Sequence, residues 1–233
     1  MSTKINIGIV GANGFVGTKF CSILEKENIN YEKVTRDNYN NFKVKNNFSH
    51  VINCAMPSGR FWSKNNPTED FKETVLKTFN IKNDFLESKI IQISSISAKV
   101  QLDTVYGRNK RAAELILDPE KDLIIRLGPI YDSSMKKGAL IDIIKGSKVF
   151  VSGDTKYAFT PLDWACLKIL NMKDKTGLFE VGSRNYVTLK DLRDNLNSNS
   201  DFEGFQDDQI FPDADNSCPD ANEVIDFARK LIN

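Results

Sequence analysis

The chain has 233 residues, 40% hydrophobic and 27% charged, enough for one buried core with at most a small accessory lobe and too short for two full-sized domains. Its 32 basic and 31 acidic side chains leave a net charge of +1, which excludes the basic footprint that nucleic-acid backbones demand. One histidine, His50, and four scattered cysteines, Cys21, Cys54, Cys166 and Cys218, exclude a site of several imidazoles or a close thiol pair, so no metal is expected and the cysteines read as buried free thiols.

From Met1 through Lys4 the chain runs into an apolar strand, Ile5 to Val10, too short for a leader or a membrane span; a cytoplasmic location without a membrane partner is expected. Glycines follow, then helical spacing over Thr18 to Lys26 through Phe20, Ile23 and Leu24. A second strand fits Glu32 to Thr35, an Asn-rich polar stretch reaches Asn47, and His50 to Cys54 is a third strand. Pro67 opens a long helical pattern through Phe71, Val75, Leu76, Phe79 and Ile81, after which the β-branched run Lys89 to Ile93 ends in Ser94 and Ser95. A helix over Tyr106 to Leu117 and a strand over Asp122 to Leu127 follow, and Gly128 and Pro129 end the strand. This alternation predicts an α/β fold, a doubly wound parallel sheet covered on both faces. Beyond Tyr131 the pattern gives a short helix over Leu140 to Ile144, a strand over Lys148 to Val151 and a turn at Gly153 and Asp154. A helix over Asp163 to Leu170, a strand over Leu178 to Val181, a capped helix over Thr188 to Leu196, an acidic loop and a final helix over Pro219 to Ile232 complete the chain.

Gly11, Ala12, Asn13, Gly14, Phe15, Val16 and Gly17 lie between the first strand and the first helix, the context in which glycines turn sharply and let backbone N–H groups approach a pyrophosphate. Two readings compete after the second strand: Asp37 can accept a bond from an adenosine ribose hydroxyl, favouring NAD, whereas Arg36 can pair with a 2′-phosphate, favouring NADP. The basic residue takes the first position, so the balance tilts to NADP. Tyr106 and Lys110 stand four residues apart on one helical face, where an ammonium is expected to lower the pKa of the phenol and make it a proton exchanger. Alone, such a pair describes an ordinary half-exposed face. Its position after Ser95, at a strand end on the carboxyl edge of the sheet, gives it meaning, although a serine there is also a common turn former.

Together these residues resemble the extended short-chain dehydrogenases, the NAD-dependent epimerase/dehydratase family of nucleotide-sugar enzymes, over most of the chain. The glycine turn resembles the family fingerprint, Asn53, Cys54 and Ala55 its Asn-Ala-Ala strand end, and Ser95, Tyr106 and Lys110 its catalytic triad. Arg126, Leu127, Gly128, Pro129, Ile130 and Tyr131 are similar to the strand bordering the nicotinamide. Phe159 to Asp163 and Gly177 to Gly182 resemble two later family segments. The resemblance implies a Rossmann core over 1–131 and about 155–182 with a small substrate lobe over about 132–154 and 183–233, all in one domain. It implies cofactor contacts from Cys54, Ala55, Leu127, Gly128 and Pro129 besides the glycine turn, Arg36, Asp37, Tyr106 and Lys110. It further implies a nucleotide-sugar substrate and a homodimer.

Two departures qualify it. Only ten residues separate Ser95 from Tyr106, a shortened loop, and Ser95, Ile96 and Ser97 stand where dehydratases of the family carry Thr, Asp and Glu, which argues against sugar dehydration. The expected activity is a keto-sugar reductase using NADPH, with an NAD-dependent epimerase and a non-catalytic dinucleotide sensor as the alternatives. The acidic residues Asp207, Asp208, Asp213, Asp215 and Asp220 read as loop carboxylates rather than a cation site.

Overall fold

A computed structural model of the chain describes residues 6–232. The start of the expected first strand at Ile5, and the segment from Met1 through Lys4, lie outside them. The chain divides into two compact units: one holds everything up to Arg126 together with Cys166–Glu180, the other Leu127–Ala165 and the chain from Val181 onward.

The first unit is built on a six-stranded sheet in the order β2-β1-β3-β4-β5-β9, the doubly wound α/β architecture that the alternating pattern predicts. Its strands are β1 (Ile7–Val10), β2 (Tyr31–Val34), β3 (His50–Asn53), β4 (Lys89–Ser95), β5 (Leu123–Leu127) and β9 (Gly177–Val181). β1 pairs in parallel with β2 and β3, and β3 with β4, so the last residues of these four strands share one edge. All four residues of β1 and of β3 are buried, the polar His50 and Asn53 included, as strands between two helical layers should be. Helix α1 (Phe15–Lys26) turns Phe20, Ile23 and Leu24 inward, the spacing that identified it.

The Asn-rich polar stretch, to which the sequence assigns no element, contains helix α2 over Tyr39–Lys45. Its anchor is Phe42, 2% exposed, stacked on Phe48 at 3.9 Å and meeting Phe85 edge-on at 4.9 Å. Burial of that one ring outweighs the weak helix propensity of its neighbours. Gly8 makes room for it, because a Cβ there would stand 2.1 Å from the Phe42 ring.

The helix opened by Pro67 runs as α4 (Pro67–Phe71), a π turn (Lys72–Leu76) and α5 (Lys77–Asp84). Short helices α3 (Arg60–Asn65) and α6 (Ser97–Val100) and the longer α7 (Val105–Glu114) complete the segment before β5. Beneath α7, the buried Glu114 carboxylate accepts from Ser94 Oγ at 2.7 Å and from Arg126 Nε and Nη2 at 2.9 and 2.7 Å.

In the second unit, β6 (Ile130–Tyr131) pairs with β8 (Thr160–Pro161), and β7 (Lys156–Tyr157) with β10 (Val187–Thr188). Helices α8 (Ala139–Ile144), α10 (Leu189–Asn195) and α11 (Glu223–Ile232) surround an apolar core of Tyr131, Leu140, Ile143, Phe159, Leu192 and Val224. Helix α9 (Leu162–Asn171) precedes β9. The strand expected over Lys148 to Val151 does not form. Its alternation is real, with Val149 buried and Phe150 exposed, but Val149 finds only an isolated bridge to Phe202 and no strand to pair with. The loop carboxylates staple this unit: Asp207 accepts from Tyr157 Oη, and Asp208 from the Lys156 N–H, both at 2.9 Å.

Cys21 and Cys166 are buried, whereas Cys54 and Cys218 are only half-buried. Among the described residues no cluster of three or more His, Cys, Asp or Glu side chains can hold a metal ion, and no helix is long and apolar enough to cross a membrane.

Candidate active site

Glycine geometry defines the first part of the site. Gly11 leaves β1 with φ +81°, a conformation that favours glycine, and a Cβ there would lie 2.8 Å from Ala55 Cα. Gly17 in α1 faces the same turn, with an added Cβ 2.2 Å from the Gly11 carbonyl oxygen. The turn is fixed by bonds from the Gly11 N–H to Val34 O at 3.1 Å and from the Gly14 N–H to Gly11 O at 2.9 Å. Gly14 caps α1 without any side-chain cap bond and no acidic residue occupies the first turn, so the positive helix end is left for an anion. Asn13 and Gly14 are exposed at that end, and Phe15 and Val16 are half-buried. This cradle fits a dinucleotide pyrophosphate: Gly11 and Gly17 let the backbone turn tightly without a side chain, and the exposed Asn13 and Gly14 leave the helix end open.

Cys54 and Ala55 follow β3 on the same edge, the Ala55 N–H held by Asn53 Oδ1 at 3.1 Å. Asn53 also donates to Gln92 Oε1 at 2.9 Å, locking β3 to β4 just below the edge. Beyond β2, Arg36 and Asp37 are exposed; Arg36 Nη2 lies 3.3 Å from Glu73 Oε2 in the π turn.

Ser95 ends β4. Its hydroxyl donates to Ser97 Oγ and accepts from the Ser97 N–H, both at 3.2 Å, and lies near enough to the Tyr106 phenol to act on its pKa. Tyr106 is placed by α7, whose N-cap Thr104 accepts from the Gly107 N–H at 3.0 Å. A Cβ on Gly107 would lie 2.1 Å from Gln101 O, so this glycine lets α7 approach the preceding loop closely enough for the phenol to reach Ser95. Lys110 Nζ sits 5.1 Å from the centre of the Tyr106 ring and donates to Pro57 O at 2.9 Å. The structure thus brings Ser95, Tyr106 and Lys110 together on the edge that carries the glycine turn.

The electrostatics differ from the expectation. Burial pushes the Tyr106 phenol up to about 12, and the Ser95 hydrogen bond and the Arg60 charge offset this only in part. Burial likewise pushes the Lys110 ammonium down to about 7, against the opposing pull of Asp70 and with the help of Lys77. At neutral pH the phenol therefore keeps its proton, and the lysine does not turn it into a phenolate; desolvation, which spacing alone does not reveal, dominates.

Leu127, Gly128 and Pro129 belong to the second unit, where a Gly128 Cβ would lie 2.6 Å from the Phe211 ring. His50 begins β3 at its amino end, the opposite end of that strand from Ala55, and lies 3.4 Å from Asp174. Sequence reasoning missed Asp70, Glu73, Lys77 and Gly107. Asp70 is fully buried, accepting from Ser63 Oγ at 2.8 Å and from Asn109 Nδ2 at 2.7 Å. The signal was available: Asp70, Thr74, Thr78, Ile81 and Phe85 recur at helical spacing, so a carboxylate occupied a core-facing position.

No family model and no curated protein matches the chain. Solved structures do. TunA, an NAD-dependent NDP-hexosamine 5,6-dehydratase involved in tunicamycin biosynthesis, superposes with a TM-score of 0.81 at 12% identity, covering 98% of this chain and 97% of its own. A dTDP-4-dehydrorhamnose reductase from Bacillus anthracis, solved with NADP, gives 0.76 at 15% identity over 95% and 97%. A UDP-glucose 4-epimerase from Thermotoga maritima, solved with UDP-glucose, gives 0.72 at 15% identity over 98% and 96%. This chain has the Rossmann-type α/β fold of those enzymes.

Proposed function

We propose that the chain is an NAD(P)-dependent oxidoreductase acting on a nucleotide-linked sugar, a keto-sugar reductase in which Tyr106 delivers the proton. The observation that carries this reading is the buried Tyr106 phenol, with the buried Lys110 nitrogen 5.1 Å from its ring centre and Ser95 at the neighbouring strand end, beside a glycine cradle. A reductase needs an acid at the carbonyl oxygen, and a protonated phenol is that acid. The bound dinucleotide supplies the hydride. Ser95 orients the substrate oxygen, Tyr106 Oη gives up its proton to it, and the Lys110 nitrogen, held to Pro57 O and 5.1 Å from the centre of the phenol ring, offsets in its protonated form the charge that develops there. Gly11, Asn13, Gly14, Phe15, Val16 and Gly17 would hold the pyrophosphate, with Arg36 and Asp37 at the adenosine ribose, and Cys54, Ala55, Leu127, Gly128 and Pro129 as further cofactor contacts. Segments 132–154 and 183–233 are read as the substrate lobe.

The test is oxidation of NADPH, followed by absorbance, with a panel of nucleotide-linked keto-sugars. Stoichiometric consumption identifies a reductase, whereas turnover that leaves the dinucleotide unchanged would identify an epimerase. Tyr106→Phe is expected to lower turnover by about a hundredfold or more, in line with loss of a general acid. Full turnover in that variant would contradict the assignment.

A further inference from the structure

Arg36, the candidate 2′-phosphate ligand, is already engaged. Its side chain is 87% exposed, and Nη2 lies 3.3 Å from Glu73 Oε2. The same carboxylate pairs with Lys77 four residues on, and Lys77 Nζ donates to Ala55 O at 3.1 Å. Ala55 abuts Gly11, so a chain of charges runs from the end of β2 to the glycine cradle. The Lys77 hydrogen bond, joined by the Arg36 charge, holds the Glu73 carboxyl below its usual range, so it is ionised at neutral pH. With Arg36 and Lys77 positive and Asp37 and Glu73 negative, the cluster carries no net charge, a poor receptor for a dianionic phosphate. Glu73 lies in the π turn and pairs with Arg36, while the next residue, Thr74, is buried.

We propose that Glu73 is a specificity-determining residue of the dinucleotide site: by neutralising Arg36 and presenting its own charge, it weakens selection for a 2′-phosphate and lets NAD compete with NADP. The inference rests on the dinucleotide reading above. It is tested by titrating the nucleotide-free full chain with NADP and with NAD, following binding by calorimetry. Glu73→Gln is expected to raise the NADP-to-NAD affinity ratio about fivefold through tighter NADP binding, as removal of a nearby like charge should. Glu73→Ala reads the same ratio should the amide variant fail to fold. Combining Glu73→Gln with Arg36→Met should abolish the gain, since it acts through the guanidinium. An unchanged ratio in a folded Glu73 variant, or a gain that survives loss of Arg36, overturns the inference while leaving the dinucleotide site intact. A wild-type chain that binds neither nucleotide overturns both.

Discussion

Burial acts in opposite directions on the two ends of the Tyr106 and Lys110 pair, keeping the proton on the phenol and easing it off the ammonium. The lysine therefore has a consequence for stability. Its folded pKa of about 7 lies below the ordinary 10.5, so below pH 7 both folded and unfolded chains carry the charge and the burial penalty is complete. Between those values the unfolded chain holds a proton that the folded chain lacks, and stability rises with pH across the window. Lys110→Met should accordingly raise the melting temperature more near about pH 6 than near about pH 9; equal shifts at the two pH values would contradict the assignment. The grouping of Tyr106, Lys110, Ser95 and the glycine turn at one sheet edge was legible in the sequence, because it follows from short spacings and strand ends. The buried position of Asp70 was legible in its helical spacing with Thr74 and Thr78, whereas the pairings of Glu73 and Lys77 were not, since they depend on which neighbours the helix meets and on a π turn that no local pattern announces.

At the scale of elements, strongly periodic segments formed as the pattern predicts, and the surprises came where a single distant partner decides. Helix α2 exists because Phe42 finds Phe48 and Phe85, while Lys148 to Val151 stays irregular for want of a partner strand. Helix α7 serves two purposes. One face aims Tyr106 and Lys110, and the last turn carries Glu114, whose buried carboxylate binds Ser94, Arg111 and Arg126. Removing one member of a buried ion pair leaves an uncompensated charge, at a cost of about 3–5 kcal/mol. Glu114→Ala is therefore expected to lower the unfolding free energy in urea by about that amount. A loss below about 1 kcal/mol would mean that the pair is solvated and does not fix α7 against β4 and β5.

At the scale of the whole chain, the alternation of strands and helices was enough to indicate a doubly wound sheet, because parallel strands need crossovers that leave a regular trace in sequence. The second unit was harder to foresee, its strands being pairs of two residues and its core assembled from segments far apart in the chain. The function proposed for the chain is one transfer: hydride from a bound nicotinamide to a sugar carbonyl, with the proton from Tyr106. Turnover of a nucleotide-linked keto-sugar with NADPH deuterated at its reactive ring carbon tests this most directly. One deuterium is expected on the former carbonyl carbon of the product, and its loss in Tyr106→Phe. Product formed without the label, or label transfer undiminished by that substitution, would contradict it.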